Sequence, residues 1–381
     1  MINTYFLFYF YIVRIRFLIL IVFLSFFAKA SNDSLKNISF GMNYFGGKIF
    51  LHTSKIHANV PPYSQAVELN YNKQTNGNKI WQQRFGFPET ALNITISDHG
   101  EKGFGYAIGV YPSILFRLVN FQYSYFYFKI GGGIGVNSKH WERDAHNDST
   151  NNILGSAINN FTMMQTGFRF RLNNYWTAQT GFDFYHVSNA GARKPNFGIN
   201  TYGVFVGTNY HLNYFQNHFS KVEDSHRENP LYIGLQTMGS FAEDKIVDGP
   251  IYYNYGLNAN ISKMYRGKNK VALGAEGVYQ SKLYSLFKNK SMYVGRERQA
   301  AWQYSVFAMH EFVFGKIGFP MHLGYYLNKP NAGYSIYEKL GITYYPYRNQ
   351  KTVIKDVYFS LLLKTHYATA DYAEWGVGFH F

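Results

Sequence analysis

Residues 251–262, IYYNYGLNANIS, alternate with period two. Ile251, Tyr253, Tyr255, Leu257, Ala259 and Ile261 fall at the odd positions, and Tyr252, Asn254, Gly256, Asn258, Asn260 and Ser262 at the even ones. Successive side chains on a strand point to opposite faces, so such a segment is apolar on one side and polar or small on the other. The pattern recurs along the chain. In Phe161–Leu172, Met164, Phe168, Phe170 and Leu172 share a face and Arg169 and Arg171 take the other. In Gln122–Val136, Phe126, Phe128, Ile130, Ile134 and Val136 oppose Tyr123, Tyr125, Tyr127, Lys129 and three glycines. Many of these runs have the roughly 9–12 residues that cross a bilayer at a tilt. An open sheet edge cannot persist in hydrocarbon, so repeated strands with one lipid-like face imply a closed antiparallel β-barrel.

Composition agrees. Aromatic residues make up 20% of the 381-residue chain and charged residues only 15%, with 35 each of Tyr, Phe and Gly. Soluble domains carry nearer a quarter charged residues, whereas membrane barrels need aromatic girdles. There is no cysteine, which excludes disulfides, thiolate catalysis and Cys-based metal sites. The formal charge is +15. No nucleic-acid motif accompanies it, so an anionic lipid surface is the expected partner.

Residues 1–30 read as a secretory signal. Arg14 and Arg16 precede an apolar run from Phe17 to Phe27, and Ala28-Lys29-Ala30 supplies small residues at −3 and −1. Cleavage after Ala30 removes three cations and lowers the formal charge from +15 to +12. The most polar break, Gln216–Pro230, divides the remainder into segments 31–215 and 216–381. A single outer-membrane barrel of about 14 strands (range 12–16) is expected, in preference to two consecutive eight-stranded units. The chain ends on a strand in which Trp375, Val377, Phe379 and Phe381 alternate with Glu374, Gly376, Gly378 and His380. A terminal aromatic strand resembles the signal read by the barrel-assembly machinery of the outer membrane, which is therefore an expected partner.

Residues 181–206, GFDFYHVSNAGARKPNFGINTYGVFV, carry the candidate chemistry. His186 and Ser188 share the face of Phe182 and Phe184, the side where lipid is expected and where polar residues are costly. After the Gly/Pro/Asn-rich break a second alternating run begins at Asn200. If the two runs pair as a hairpin, Asn200 can come beside His186. Serine, histidine and a third polar residue that orients the imidazole are the groups that activate a hydroxyl. Asn189, Gly191 and Asn196 cluster just beyond Ser188, where N–H groups can hold an oxyanion.

The stretch HVSNAGARKPNFGIN, His186 to Asn200, resembles the active-site motif of the lipid A 3-O-deacylases (PagL family, acyloxyacyl hydrolases). The resemblance implies a small outer-membrane barrel whose Ser–His pair sits on the outer wall at outer-leaflet depth and hydrolyses the ester-linked acyl chain at position 3 of lipid A. It implies Ser188 as nucleophile, His186 as general base, and Asn189, Gly191 and Asn196 as oxyanion-hole or loop positions. The motif departs at its third member, where the best-known deacylases have Glu and this chain has Asn200. An Asn carbonyl can still accept the imidazole Nδ1–H, and a Ser–His–Asn set of this spacing is similar to that of outer-membrane phospholipase A.

Lipid A (lipopolysaccharide) and other outer-membrane lipids are thus the expected partners, with no metal, no cofactor and no nucleic acid. Arg193 and Lys194 are either solvated loop cations or ligands of lipid phosphates. Gly131-Gly132-Gly133-Ile134-Gly135 reads as relief of barrel crowding, and His366, Asp371 and Glu374 as a lumen or turn network. The rival readings are a phospholipase A and a non-catalytic structural or pore barrel.

Overall fold

The computed structural model describes residues 37–56, 60–100, 104–141, 152–213, 230–244, 247, 249–329 and 333–381. The expected leader, residues 1–30, and residues 216–229 of the polar break lie outside the described residues.

The alternating runs form sixteen antiparallel strands. The first eight are β1 (Ile38–Ile49), β2 (Ser64–Gln74), β3 (Glu89–Asp98), β4 (Tyr106–Asn120), β5 (Ser124–Asn137), β6 (Ile158–Arg171), β7 (Trp176–Ser188) and β8 (Ile199–His211). The second eight are β9 (Leu231–Glu243), β10 (Ile251–Tyr265), β11 (Asn269–Gln280), β12 (Trp302–Phe314), β13 (Ile317–Tyr326), β14 (Ile336–Arg348), β15 (Asp356–His366) and β16 (Thr369–His380). Each set closes on itself, β1 pairing with β8 and β9 with β16. This corrects the expectation of one barrel of about 14 strands: there are two closed barrels of eight. The alternation is the same in either architecture; which strands close a ring depends on pairings between distant segments, such as Phe45 with Phe205 and Trp375 with Gly239.

The polar faces fill both lumens. In the first barrel Lys129 donates to Glu68 at 3.0 Å, and Arg169 holds both oxygens of Glu89 at 3.1 and 3.0 Å. In the second, Lys339 lies between Glu276 at 2.8 Å and Glu374 at 3.0 Å, and Lys270 meets Glu311 at 3.1 Å. Glu374 is therefore a lumen residue, while His366 Nε2 lies 3.1 Å from the Tyr326 hydroxyl near the β15–β16 turn. Gly133 admits no side chain, because a Cβ there would lie 2.3 Å from the Val110 carbonyl oxygen and 2.8 Å from Tyr111.

Outer faces are apolar. On the first barrel Leu69, Leu92, Ile96, Ile108, Val110, Val204 and Val206 are exposed. Tyr44, Tyr106 and Tyr202 rim this belt at one end, and Tyr123, Tyr175, Trp176 and Tyr210 at the other. An aliphatic belt between aromatic rows is the outer surface of a membrane barrel. Among the described residues no helix is long and apolar enough to cross a membrane.

The barrels touch at both ends of their strands. At one end Phe85 and Phe116 pack on Phe314 with ring centroids 4.2 and 6.0 Å away, and Arg84 donates to the Gly267 carbonyl at 2.6 Å. At the other, the loop 189–198 after β7 meets the second barrel, as described next. Contacts at both ends set the two cylinders side by side, with their strands spanning one layer.

Candidate active site

The hairpin register puts His186 opposite Asn200 across β7 and β8. Thr177, Gln179, Asp183, Tyr185 and Val187 are buried in the lumen, so His186 and Ser188 project from the outer wall with Phe182 and Phe184. The Ser188 hydroxyl lies 3.0 Å from His186 Nε2, and His186 Nδ1 lies 2.6 Å from Asn200 Oδ1. The network assigns the tautomer. Nδ1–H donates to the Asn200 oxygen, which leaves Nε2 to accept from Ser188. The three residues expected to meet do meet.

Behind the site the lumen is solid. Phe45 and Tyr185 pack edge to face at 5.3 Å, Phe161 lies 5.5 Å from Tyr185, and Tyr111 stacks on Phe161 at 5.3 Å. A rigid wall under a reacting pair holds its geometry. Further along the same wall lies a groove of about 410 Å³, lined on the outer face by Phe128, Met164, Thr166, Phe182, Phe184 and Tyr202. Phe184 and Phe182 are the next two residues on the face of His186, so the groove runs from the site toward the middle of the belt. Tyr202, of the aromatic rim, is the next outward residue after Asn200. Phe184 pairs with Tyr202, so His186 and Ser188 stand two and four residues further along β7, on the outer side of the aromatic rim.

The residues beyond Ser188 differ from expectation in one respect. The N–H groups of Asn189 and Gly191, expected to face an oxyanion, are already engaged. Asn189 N–H donates to Asn196 Oδ1 at 3.1 Å, and Gly191 N–H to Asn189 Oδ1 at 3.1 Å. Asn189 Nδ2 also donates to the Arg193 carbonyl at 2.9 Å. Asn and Asp side chains compete for nearby backbone groups in loops, and here they build the loop's shape. Between them Ala190 is left-handed, with φ of 55°.

This loop rests on the second barrel. Lys194 N–H donates to Glu243 Oε2 at 2.5 Å. Gly191, at φ 82°, passes so close to β16 that a Cβ would fall 2.7 Å from the Asp371 carbonyl oxygen. Burial lowers the Lys194 pKa, against the opposing pull of Asp371. Asp371, Glu243 and Asp244 pull the Lys194 pKa up and Lys282 pushes it down, so this half-buried cation stands among charges of the second barrel.

Two residues of the site carry no signal in the strand pattern. Gly198, left-handed at φ 77°, lies against the pair: a Cβ would be 3.1 Å from His186 Cε1 and 3.3 Å from Ser188 Cβ. His52, in the loop after β1, accepts the Asn200 side-chain N–H on its Nδ1 at 2.9 Å. Only Gly198 had a legible cue, as a glycine in a turn-rich break. A second serine–histidine contact, Ser64 Oγ to His99 Nδ1 at 2.9 Å, has both residues 1% exposed and is closed to any lipid. Burial also holds the His99 pKa down at about 4. Among the described residues no group of His, Asp and Glu is arranged to hold a metal.

Comparison with known proteins follows the same division. Residues 65–209 match the family model for lipid A 3-O-deacylase (PagL), and residues 229–381 match the acyloxyacyl hydrolase C-terminal domain. No curated protein sequence matches. Among solved structures, the outer membrane enzyme PagL is similar at 18% identity, over 44% of this chain and 97% of that one, with a TM-score of 0.32. OccK2 (OpdF) of Pseudomonas aeruginosa is similar at 10% identity, over 91% of this chain and 98% of that one, with a TM-score of 0.21. The two family matches together span both barrels, and the chain belongs to the lipid A 3-O-deacylase (PagL) and acyloxyacyl hydrolase family of outer-membrane β-barrel proteins.

Proposed function

We propose that the protein is a serine esterase that hydrolyses an ester-linked acyl chain of lipid A, the 3-O-deacylation of lipopolysaccharide. The observation that carries this reading is the Ser188–His186–Asn200 chain of hydrogen bonds on the outer wall, with an apolar groove further along the same wall. A lipid ester lies at the boundary between headgroup and acyl chain. A nucleophile mounted outside the barrel at that level reaches the bond without extracting the lipid.

In the reaction, His186 Nε2 takes the Ser188 proton as Oγ bonds to the ester carbonyl carbon. The imidazolium is held by Nδ1–H donation to Asn200. It returns the proton to the departing sugar oxygen, whose bond to the carbonyl carbon breaks. Water, deprotonated by His186, then attacks the acyl-serine and releases the fatty acid. With the Asn189 and Gly191 N–H groups engaged, the Ala190 N–H, which has no acceptor among the described residues, is the loop's donor for the oxyanion. The buried ion pairs that fill both lumens, Lys129–Glu68 and Arg169–Glu89 in the first and Lys339–Glu276 and Lys270–Glu311 in the second, argue against a pore.

The test is mass spectrometry of lipids from cells producing wild type or Ser188→Ala. Lipid A short of one ester-linked acyl chain, in the wild type alone, is the expected result. Lysophospholipid with intact lipid A would make the protein a phospholipase A, and no difference would make it non-catalytic.

The loop's seat on the second barrel gives a further expectation. Gly191→Val adds strain at a positive φ and drives a side chain into the Asp371 carbonyl. Displacing the loop by about 1 Å should slow hydrolysis on the order of 10²-fold. Initial rates on lipid A in mixed micelles measure it, and an unchanged rate would remove the second barrel from the site.

A further inference from the structure

The Asn200 amide bridges two imidazoles. Its Oδ1 accepts from His186 Nδ1 at 2.6 Å and its Nδ2 donates to His52 Nδ1 at 2.9 Å. The backbone delivers His52 to that place, because Phe50 N–H donates to the Asn200 carbonyl at 2.7 Å and ties the first residues after β1 to the start of β8.

An amide differs from a carboxylate in having two unlike ends of nearly equal size. With Oδ1 toward His186, the imidazole carries its proton on Nδ1 and Nε2 accepts from Ser188. With the amide turned over, Nδ2–H would point at Nδ1, the proton would sit on Nε2, and His186 would have no lone pair for the serine. A base built on an asparagine therefore needs something to fix which end faces it. We propose that His52 is that positioning residue: its Nδ1 accepts the Asn200 N–H and holds the amide in the orientation that makes His186 a base. The inference rests on the esterase reading for its effect on turnover, though not for its effect on the tautomer.

The test uses the full-length protein in lipid A mixed micelles. His52→Phe removes the acceptor and should lower kcat about tenfold, the worth of one orienting hydrogen bond, with KM unchanged. His52→Asn, which offers an oxygen near the position of Nδ1, should restore most of the loss. In an Asn200→Asp background both ends of the side chain accept, so His52→Phe should cost nothing further. A loss of equal size in both backgrounds would overturn the proposal, as would full kcat in His52→Phe. The ¹⁵N shifts of the His186 ring supply a readout independent of turnover: the Nε2–H tautomer should rise in His52→Phe and fall again in His52→Asn. If Ser188→Ala stays active the esterase reading fails, and the tautomer shift still decides the role of His52.

Discussion

Ser188→Ala is expected to lower acyl-ester hydrolysis by on the order of 10⁴-fold or more and to leave both barrels folded. Among the described residues the hydroxyl makes one side-chain hydrogen bond, with His186 Nε2 at 3.0 Å. It lies on the outer wall, away from the ion pairs and aromatic stack that fill the lumen. Removing it deletes the nucleophile and little else. His186→Ala should cost about as much, and the double variant little more than either, because the two act as one unit. Release of fatty acid measures the first effect, and the heat-modifiable gel migration of a folded barrel measures the second. A Ser188→Ala protein that hydrolyses lipid A at the wild-type rate would end the mechanism. Additive losses in the double variant would show the two residues working separately.

The site was more legible in the sequence than the architecture around it. Side-chain parity on a strand is strict, so His186 and Ser188 had to share a face with Phe182 and Phe184. A hairpin across the 190–198 break could bring Asn200 beside His186, and the register of β7 on β8 does so. That local arithmetic does not count strands around a ring. Ile251–Ser262 has the same odd and even faces in a cylinder of eight as in one of fourteen, and only the closures of β1 on β8 and β9 on β16 decide between them. The side-chain bonds of Asn189 and Asn196 were illegible for a different reason. Both side chains bond to the backbone of their own loop, which composition near a nucleophile does not distinguish from an oxyanion hole. His52 is a contact across 148 residues of chain, made by a loop with no periodicity to read.

The larger structural prediction concerns the second barrel, at whose centre Lys339 bridges two carboxylates. Lys339 is 1% exposed and holds Glu276 at 2.8 Å and Glu374 at 3.0 Å. Lys339→Met keeps the side chain's length and removes its charge, which leaves two carboxylates facing each other in a closed lumen. Breaking a buried ion pair from one side costs about 3–5 kcal/mol. Unfolding in urea, followed in detergent micelles, should show the second barrel melting at a clearly lower midpoint and the first unchanged. Adding Glu276→Gln and Glu374→Gln should recover most of the loss, since replacing a whole buried cluster by neutral groups is often close to neutral. A wild-type midpoint for Lys339→Met alone would mean that Lys364, whose ammonium lies 4.3 Å from the Tyr337 ring, takes over the pairing. Hydrolysis links this result to the site. Glu243 and Asp371 belong to the second barrel and seat the 189–198 loop. Activity of Lys339→Met should therefore survive at low urea and disappear with the second barrel, while Ser188 and His186 still stand on an intact first barrel.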